Sequence, residues 1–261
     1  MFSQVTIFSA AILGVIEGLT EFLPVSSTGH LILVSRLLGL SDSEFIKSFE
    51  VVIQLGAIMA VAILYWRQFL VNRRVLARVL VAFGPTALIG LLAYPFVKQY
   101  LLGSVVVTLA ALFIGGLFLI FYEKKVGEKE NPLNSIEDLS FRQAVYIGLA
   151  QAVAIVPGVS RSAATIVGGL ALGLSRRAIV EFSFLLAVPT MVAAVGLDLL
   201  KTSGDFTTEE YGLLVIGLVT SFAVAWLAVK TFLAYIQKHD FVVFGVYRLV
   251  LSLILAIAFF S

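Results

Sequence analysis

Cysteine is absent from the 261 residues, which excludes a disulfide framework and thiolate chemistry. Charge is scarce too: 13% of residues are charged against 60% hydrophobic, and the mean hydropathy is +1.06. Such a chain cannot cover a single core with a water-soluble surface, so it reads as a polytopic membrane protein. No basic residue precedes Arg36 and no cleavage pattern follows the first apolar block. That block is therefore expected in the mature structure and not as a signal peptide. The basic residues fall in short loops and the formal net charge is only +2, so nucleic acid is not an expected partner.

What is present is long apolar sequence. A helix needs roughly 20 apolar residues to cross a hydrocarbon core of about 30 Å, and six blocks have that length: about 45–66, 76–97, 103–123, 178–200, 211–230 and 241–260. Two other regions, 4–40 and 141–174, are each broken by a polar turn and have a short second arm, Leu31 to Leu40 and Ala163 to Leu174. At about 1.5 Å per residue such arms reach only half-way across. The expected fold is thus an all-α membrane protein with six transmembrane helices and two re-entrant helical hairpins. Irregular backbone at membrane depth is tolerated only where protein or a water-filled cavity surrounds it.

Charge placement orients the chain. Arg67, Arg73, Arg74, Arg78, Lys124, Lys125, Lys129, Arg142, Arg176, Arg177, Lys230 and Lys238 fall on one side of the predicted spans, leaving Arg36, Lys47, Lys98 and Lys201 for the other, a bias of twelve to four. The richer side is expected to be cytoplasmic. Both termini and the first hairpin then lie outside, and the second hairpin enters from the cytoplasm. Eight complete spans would alternate equally well, so the short arms decide for re-entrance.

The order of a hairpin followed by three spans occurs twice. Gly14, Glu17, Ser26 and Thr28 overlay Gly148, Gln151, Ser160 and Ser162 at one offset of 134 residues, and Met59 overlays Met191 at 132. The expectation is one integral membrane domain, 1–261, made of two repeats, about 1–125 and 140–261. Three full spans per half invert the second copy, as in inverted-repeat transporters. The charged Glu123 to Ser140 connection, carrying Asn131-Pro132, is the natural boundary and is expected to be a cytoplasmic loop.

Inside this apolar sequence lie two polar clusters. Each ionisable group at membrane depth costs about 2.5–3.5 kcal/mol on insertion scales, so each cluster is a candidate site. Glu17 and Glu21, at i and i+4, share a helix face beside the Pro24 break. Two such carboxylates suit a divalent cation, Mg2+ or Ca2+, whose shell substrate phosphates complete; a structural ion pair with Arg161 or Arg248 is the plainer alternative. Gly14 and Gly18 are expected to form a close-packing face. After the break, Ser26, Ser27 and Thr28 begin a new helix, a ready anion site. His30, three residues beyond Ser27, is placed to remove its proton, although serines and threonines in membrane helices commonly serve only as caps or interhelical donors. In the second cluster, Arg161 can fork onto phosphate oxygens while Ser160, Ser162 and Thr165 add donors; alternatively Arg161 neutralises Glu17 or Glu21. Arg248 is a secondary lining candidate, and Glu50 and Gln54 are placed at the outer entrance.

The stretches E-G-L-T-E-F-L-P-V-S-S-T-G-H at 17–30 and P-G-V-S-R-S-A-A-T at 157–165 resemble the undecaprenyl-diphosphate phosphatase family, the bacitracin-resistance type of bacterial membrane phosphatase. The resemblance covers essentially the whole chain. Ala163 stands where many relatives are expected to carry glycine, a departure that bears on local packing. The resemblance implies hydrolysis of the C55 prenyl diphosphate to its monophosphate, which recycles the lipid carrier of cell-wall synthesis. It puts matching roles on Glu17, Glu21, Ser27, His30, Ser160 and Arg161.

The expected mechanism keeps the polyprenyl tail in lipid while the diphosphate enters between the hairpin tips. His30 activates Ser27 for attack on the terminal phosphorus, or His30 or Glu21 activates water directly. A lipid-carrier flippase or an anion transporter is the alternative, since the same architecture serves transport. The expected location is the bacterial cytoplasmic (inner) membrane with the site open to the outer, periplasmic face. Membrane lipid is the surrounding partner, and a homodimer is left open.

Overall fold

The structure is a computed structural model and describes residues 5–40, 43–101, 103–129, 132–201 and 206–260. Its elements are α1 (Ile7–Thr20), α2 (Ser27–Leu37), α3 (Glu44–Val52), α4 (Gln54–Leu64), α5 (Trp66–Leu70), α6 (Arg73–Phe96), α7 (Val105–Lys125), α8 (Phe141–Ala152), α9 (Arg161–Ala171), α10 (Arg176–Lys201), α11 (Thr208–Ile236) and α12 (Val242–Phe260). One isolated parallel bridge joins Leu133 with Leu174.

Six helical stretches are long and apolar enough to cross a membrane: Glu44–Leu64, Arg73–Phe96, Val105–Lys125, Arg176–Leu200, Thr208–Ile236 and Val242–Phe260. They coincide with the six predicted blocks, and the protein is an all-α, multi-pass membrane protein. The first of them is not one continuous helix. It steps at Ile53, where the Gly56 N–H bonds back three residues to the Ile53 carbonyl at 3.0 Å, and Gly56 lies against the Leu218 carbonyl of α11.

The four helices flanking the two breaks are short, with 14, 11, 12 and 11 residues. At about 1.5 Å per residue they measure roughly 17–21 Å, well short of the hydrocarbon thickness of about 30 Å. The first helix of each pair is seated by glycines on the backbone of a long helix. A Cβ on Gly14 would stand 2.6 Å from the Gly217 carbonyl and one on Gly18 2.6 Å from that of Ser221, so α1 seats directly on the backbone of α11. Gly148 does the same for α8 on α6, against the Ala82 carbonyl. The close-packing face expected of Gly14 and Gly18 is thus present, and its counterpart recurs in the second half.

The connection after α7 is pinned in place. Leu133 exchanges backbone hydrogen bonds with Gly173 and Ser175, at 2.8 and 2.9 Å, and Arg176 pairs with Glu123 at 3.2 Å and Glu128 at 2.8 Å. The segment is a loop with one short 3-10 turn at Ile136–Asp138; Asn131 lies outside the described residues.

Candidate active site

Both breaks end in the same local structure. Ser26 and Ser160 each have φ of 72°, the only positive φ values among the described non-glycine residues. Left-handed backbone costs an L-residue about 1–3 kcal/mol and persists only where surrounding structure imposes it. Each serine caps the helix that follows: Ser26 Oγ accepts from Gly29 N–H at 3.4 Å, and Ser160 Oγ from Ala163 N–H at 3.2 Å. The free first-turn N–H groups of α2 and α9 therefore point out of their helices, as an anion site requires.

The two helix starts meet. Arg161 Nη2 donates to Glu21 Oε1 at 2.8 Å, while its Nη1 donates to the Ser183 carbonyl at 2.8 Å and the Ser183 hydroxyl at 3.2 Å. Ser162 donates to the Phe22 carbonyl at 2.9 Å, joining the turns a second time. Between them lies a cavity of about 110 Å³ lined by Glu21, Ser26, Ser27, Thr28, Ser160 and Arg161 on its polar side and by residues 154–158 and Met191 on its other side. A larger hollow of about 460 Å³ at the α11–α12 turn, lined by Tyr235, Lys238, His239 and Asp240 among others, receives nothing from either break.

Ser27 donates its hydroxyl to Glu21 Oε2, so the carboxylate stands between a hydroxyl and a guanidinium. The proton acceptor in contact with Ser27 is Glu21 and not the expected His30. The His30 ring turns back along α2 instead: Nδ1 lies 2.8 Å from the Ser26 carbonyl and Nε2 2.7 Å from the Tyr247 hydroxyl. Two expected phosphate donors also point elsewhere. Thr165, fully buried, bonds to Ser183 Oγ at 2.6 Å and to carbonyls of its own helix, and Ser162 is taken by Phe22.

Glu17 is fully buried, and among the described residues neither of its carboxylate oxygens has a hydrogen-bond partner. The charged groups nearest in effect are Glu21, Arg161 and Glu50. Arg161 already compensates Glu21, and Glu17 does not line the cavity, so it is the Glu17 carboxylate that is left needing a proton or a cation; an all-oxygen pair with Glu21 suits a hard divalent cation. No cluster of three or more His, Cys, Asp or Glu gathers among the described residues, so the remaining coordination would come from water and phosphate oxygens, the usual habit of Mg2+.

Arg248 does not line the cavity. It is fully buried behind the breaks, and its guanidinium donates to five carbonyls: Leu112 at 3.3 Å, Ala111 at 3.1 Å, Pro24 at 3.3 Å, Val159 at 3.1 Å and Gly158 at 2.8 Å. It ties both breaks to α7. Glu50 accepts from Ser35 of α2 at 2.5 Å, and neither it nor Gln54 lines the cavity. Sequence reasoning missed Ser183 and Tyr247; single polar residues in apolar helices carry no periodic signal.

The chain is similar along most of its length to known proteins. The family model described as bacitracin resistance protein BacA matches residues 10–254. The chain is similar to the undecaprenyl-diphosphatase of Aquifex aeolicus (strain VF5), 45% identical over 255 residues that cover 98% of this chain and 99% of that protein. It is similar also to the proteins of that name from Wolinella succinogenes, 48% identical with 95% and 96% covered, and Methanococcus aeolicus, 40% identical with 97% and 98% covered. Since the match runs through both breaks and into all six long helices, the chain belongs to the bacitracin resistance protein BacA family.

Proposed function

We propose that this protein hydrolyses undecaprenyl diphosphate to undecaprenyl phosphate and inorganic phosphate, recycling the lipid carrier for cell-wall synthesis and conferring bacitracin resistance. Family membership and the shared name of the relatives support the substrate. The observation that carries the chemistry is the Glu21 carboxylate held between the Ser27 hydroxyl and the Arg161 guanidinium.

Before substrate enters, Arg161 is occupied by Glu21 and Ser183. A terminal phosphate offers the guanidinium more negative charge and a bidentate fit, so its arrival draws Arg161 off Glu21. The freed carboxylate is then the base in contact with Ser27. Ser27 Oγ bonds to the terminal phosphorus as the bond to the bridging oxygen breaks; undecaprenyl phosphate leaves and the serine proton passes to Glu21. Water then attacks the phosphoserine, inorganic phosphate departs and the hydroxyl is restored. Arg161 and the N–H groups at the starts of α2 and α9 stabilise the equatorial oxygens. Glu17 and Glu21 are the residues that would hold a divalent cation, which supplies neutralising charge to the phosphates when bound.

If Ser27 instead only donates a hydrogen bond, Glu21 deprotonates water for direct attack. Rapid acid quench with substrate labelled in its terminal phosphate separates the two. Labelled phosphoserine at Ser27 is the expected result; near-normal turnover by Ser27→Ala would eliminate the covalent route.

In the membrane, α1–α2 and α8–α9 are read as re-entrant hairpins of two inverted repeats, about 1–125 and 140–261, forming one domain. The short helices support this, as does the reciprocal seating of α1 on α11 and α8 on α6. The twelve-to-four charge bias supports a site open to the outer face of the bacterial cytoplasmic membrane. A flippase or anion transporter has no need of a hydroxyl–carboxylate pair, so transport is not favoured. Purified protein in detergent micelles, where no gradient exists, is expected to release phosphate; failure to do so with divalent cation present would return the reading to transport.

A further inference from the structure

His30 is buried in the first turn of α2 with both ring nitrogens engaged. Nδ1 lies 2.8 Å from the Ser26 carbonyl, and since a carbonyl only accepts, Nδ1 carries a proton. The neutral ring then offers Nε2 as an acceptor, and the Tyr247 hydroxyl, 2.7 Å away, donates to it. The two rings are parallel within 3°, with centroids 5.6 Å apart. The carbonyl held at the other end belongs to Ser26, the residue forced to a φ of 72° at the wall of the cavity. Tyr247 stands on α12 immediately before Arg248, which binds the carbonyls of both breaks.

We propose that Tyr247 is a positioning residue for the hydrolytic site: it holds His30 as the Nδ1–H imidazole, and the pair is a strut from α12 to the strained Ser26 turn that presents Ser27. This rests on the hydrolase reading above. It assigns His30 a structural task where the sequence suggested proton transfer, and it brings in a residue outside both polar motifs.

A base and a strut respond differently to substitution. Without a general base, turnover falls about 10²–10⁴-fold whichever side chain replaces it. Asparagine at 30 retains an amide near the Nδ1 position and still donates to the Ser26 carbonyl, so a strut is only partly lost. Tyr247→Phe keeps the ring and removes the donor, leaving a buried acceptor unpaired. Because Arg161 and the phosphate donors stay in place while Ser27 loses alignment, kcat is expected to fall about tenfold with KM within about twofold.

The test is a double-mutant cycle on the full chain in micelles, with phosphate release measured for wild type, Tyr247→Phe, His30→Asn and the double variant. The expected result is that Tyr247→Phe lowers kcat in wild type but has no further effect beside His30→Asn, which has no Nε2 to hold. An equal effect in both backgrounds, or a loss of about 10³-fold or more in His30→Asn alone, would overturn the proposal. A second measurement needs no catalysis. The chain has only two histidines, so 15N shifts of histidine-labelled protein, assigned with His239→Gln, report the His30 tautomer directly. Protonated Nδ1 with bare, hydrogen-bonded Nε2 is expected in wild type, with the Nε2 shift moving in Tyr247→Phe as its donor is lost; a bare Nδ1 at His30 would refute the strut even where no variant is active. Wild type that releases no phosphate yet shows the expected tautomer would fail the hydrolase reading alone.

Discussion

Arg161 Nη2 lies 2.8 Å from Glu21 Oε1 across 140 residues of sequence, and both side chains are almost wholly buried. Breaking a buried pair from one side leaves the other charge uncompensated, which costs about 3–5 kcal/mol. Arg161→Ala is therefore expected to lower the thermal midpoint in micelles and to reduce phosphate release at least about 10³-fold. Adding Glu21→Gln removes the stranded charge, so the double variant should regain much of the stability and none of the activity. A stable Arg161→Ala protein with turnover within tenfold of wild type would separate the pair from the reaction.

The unpartnered oxygens of Glu17 lead to a second expectation. If Glu17 and Glu21 hold the proposed divalent cation, its affinity rests on their two charges, so a chelator should abolish phosphate release and Mg2+ or Ca2+ restore it. Glu17→Gln keeps the shape and removes one charge. It should raise the cation concentration giving half-maximal activity about tenfold or more, an effect of the size a lost ligand charge produces. Full activity in chelator would remove the cation from the reading.

Much of this arrangement is legible in the sequence because membrane depth makes polar residues conspicuous. Length and hydropathy mark six long helices, and Pro24 and Gly158 with their neighbouring hydroxyls mark the two breaks. Glu21, Ser26, Ser27, Thr28, Ser160 and Arg161 all line the cavity. Hydroxyl and imidazole direction is not legible, because tertiary neighbours decide it. Helical spacing places His30 beside Ser27, but the ring reaches back to the Ser26 carbonyl and across to Tyr247, a partner 217 residues away. Thr165 turns to Ser183 for the same reason.

The proposed orientation is open to labelling, and the absence of native cysteine makes single introduced thiols unambiguous. Ser43, the cap of α3, and Lys238, after α11, are suitable positions. In intact cells an impermeant maleimide is expected to label Ser43→Cys at once and Lys238→Cys only after permeabilisation. The opposite pattern would turn the protein over and place the site's open end in the cytoplasm.

Arg248 supports the site without touching the cavity. Its five hydrogen bonds run to carbonyls of both breaks and of α7, with no carboxylate among them. A side chain of similar length without donors would leave the Pro24, Gly158 and Val159 carbonyls without this donor, while Ala111 and Leu112 lie within helix α7, so Arg248→Met should cost about 3–5 kcal/mol. Lysine keeps the charge but brings three donors on one atom, which cannot fan across three segments, so Arg248→Lys should recover little. Loss of folding alone would leave the role in the site untested, and Gly115 resolves this. A Cβ there would fall on Arg248 Nη2, so Gly115→Ala should displace the guanidinium while leaving the arginine and both breaks intact. Gly84, where an added Cβ meets nothing within 4 Å, is the control: Gly84→Ala should be neutral or stabilising by up to about 1 kcal/mol. If Arg248 sets the two helix starts against each other, Gly115→Ala lowers kcat about tenfold or more in protein that is still folded, because the reacting groups lose their alignment. Turnover and thermal midpoint matching Gly84→Ala would show that the breaks hold their positions without it.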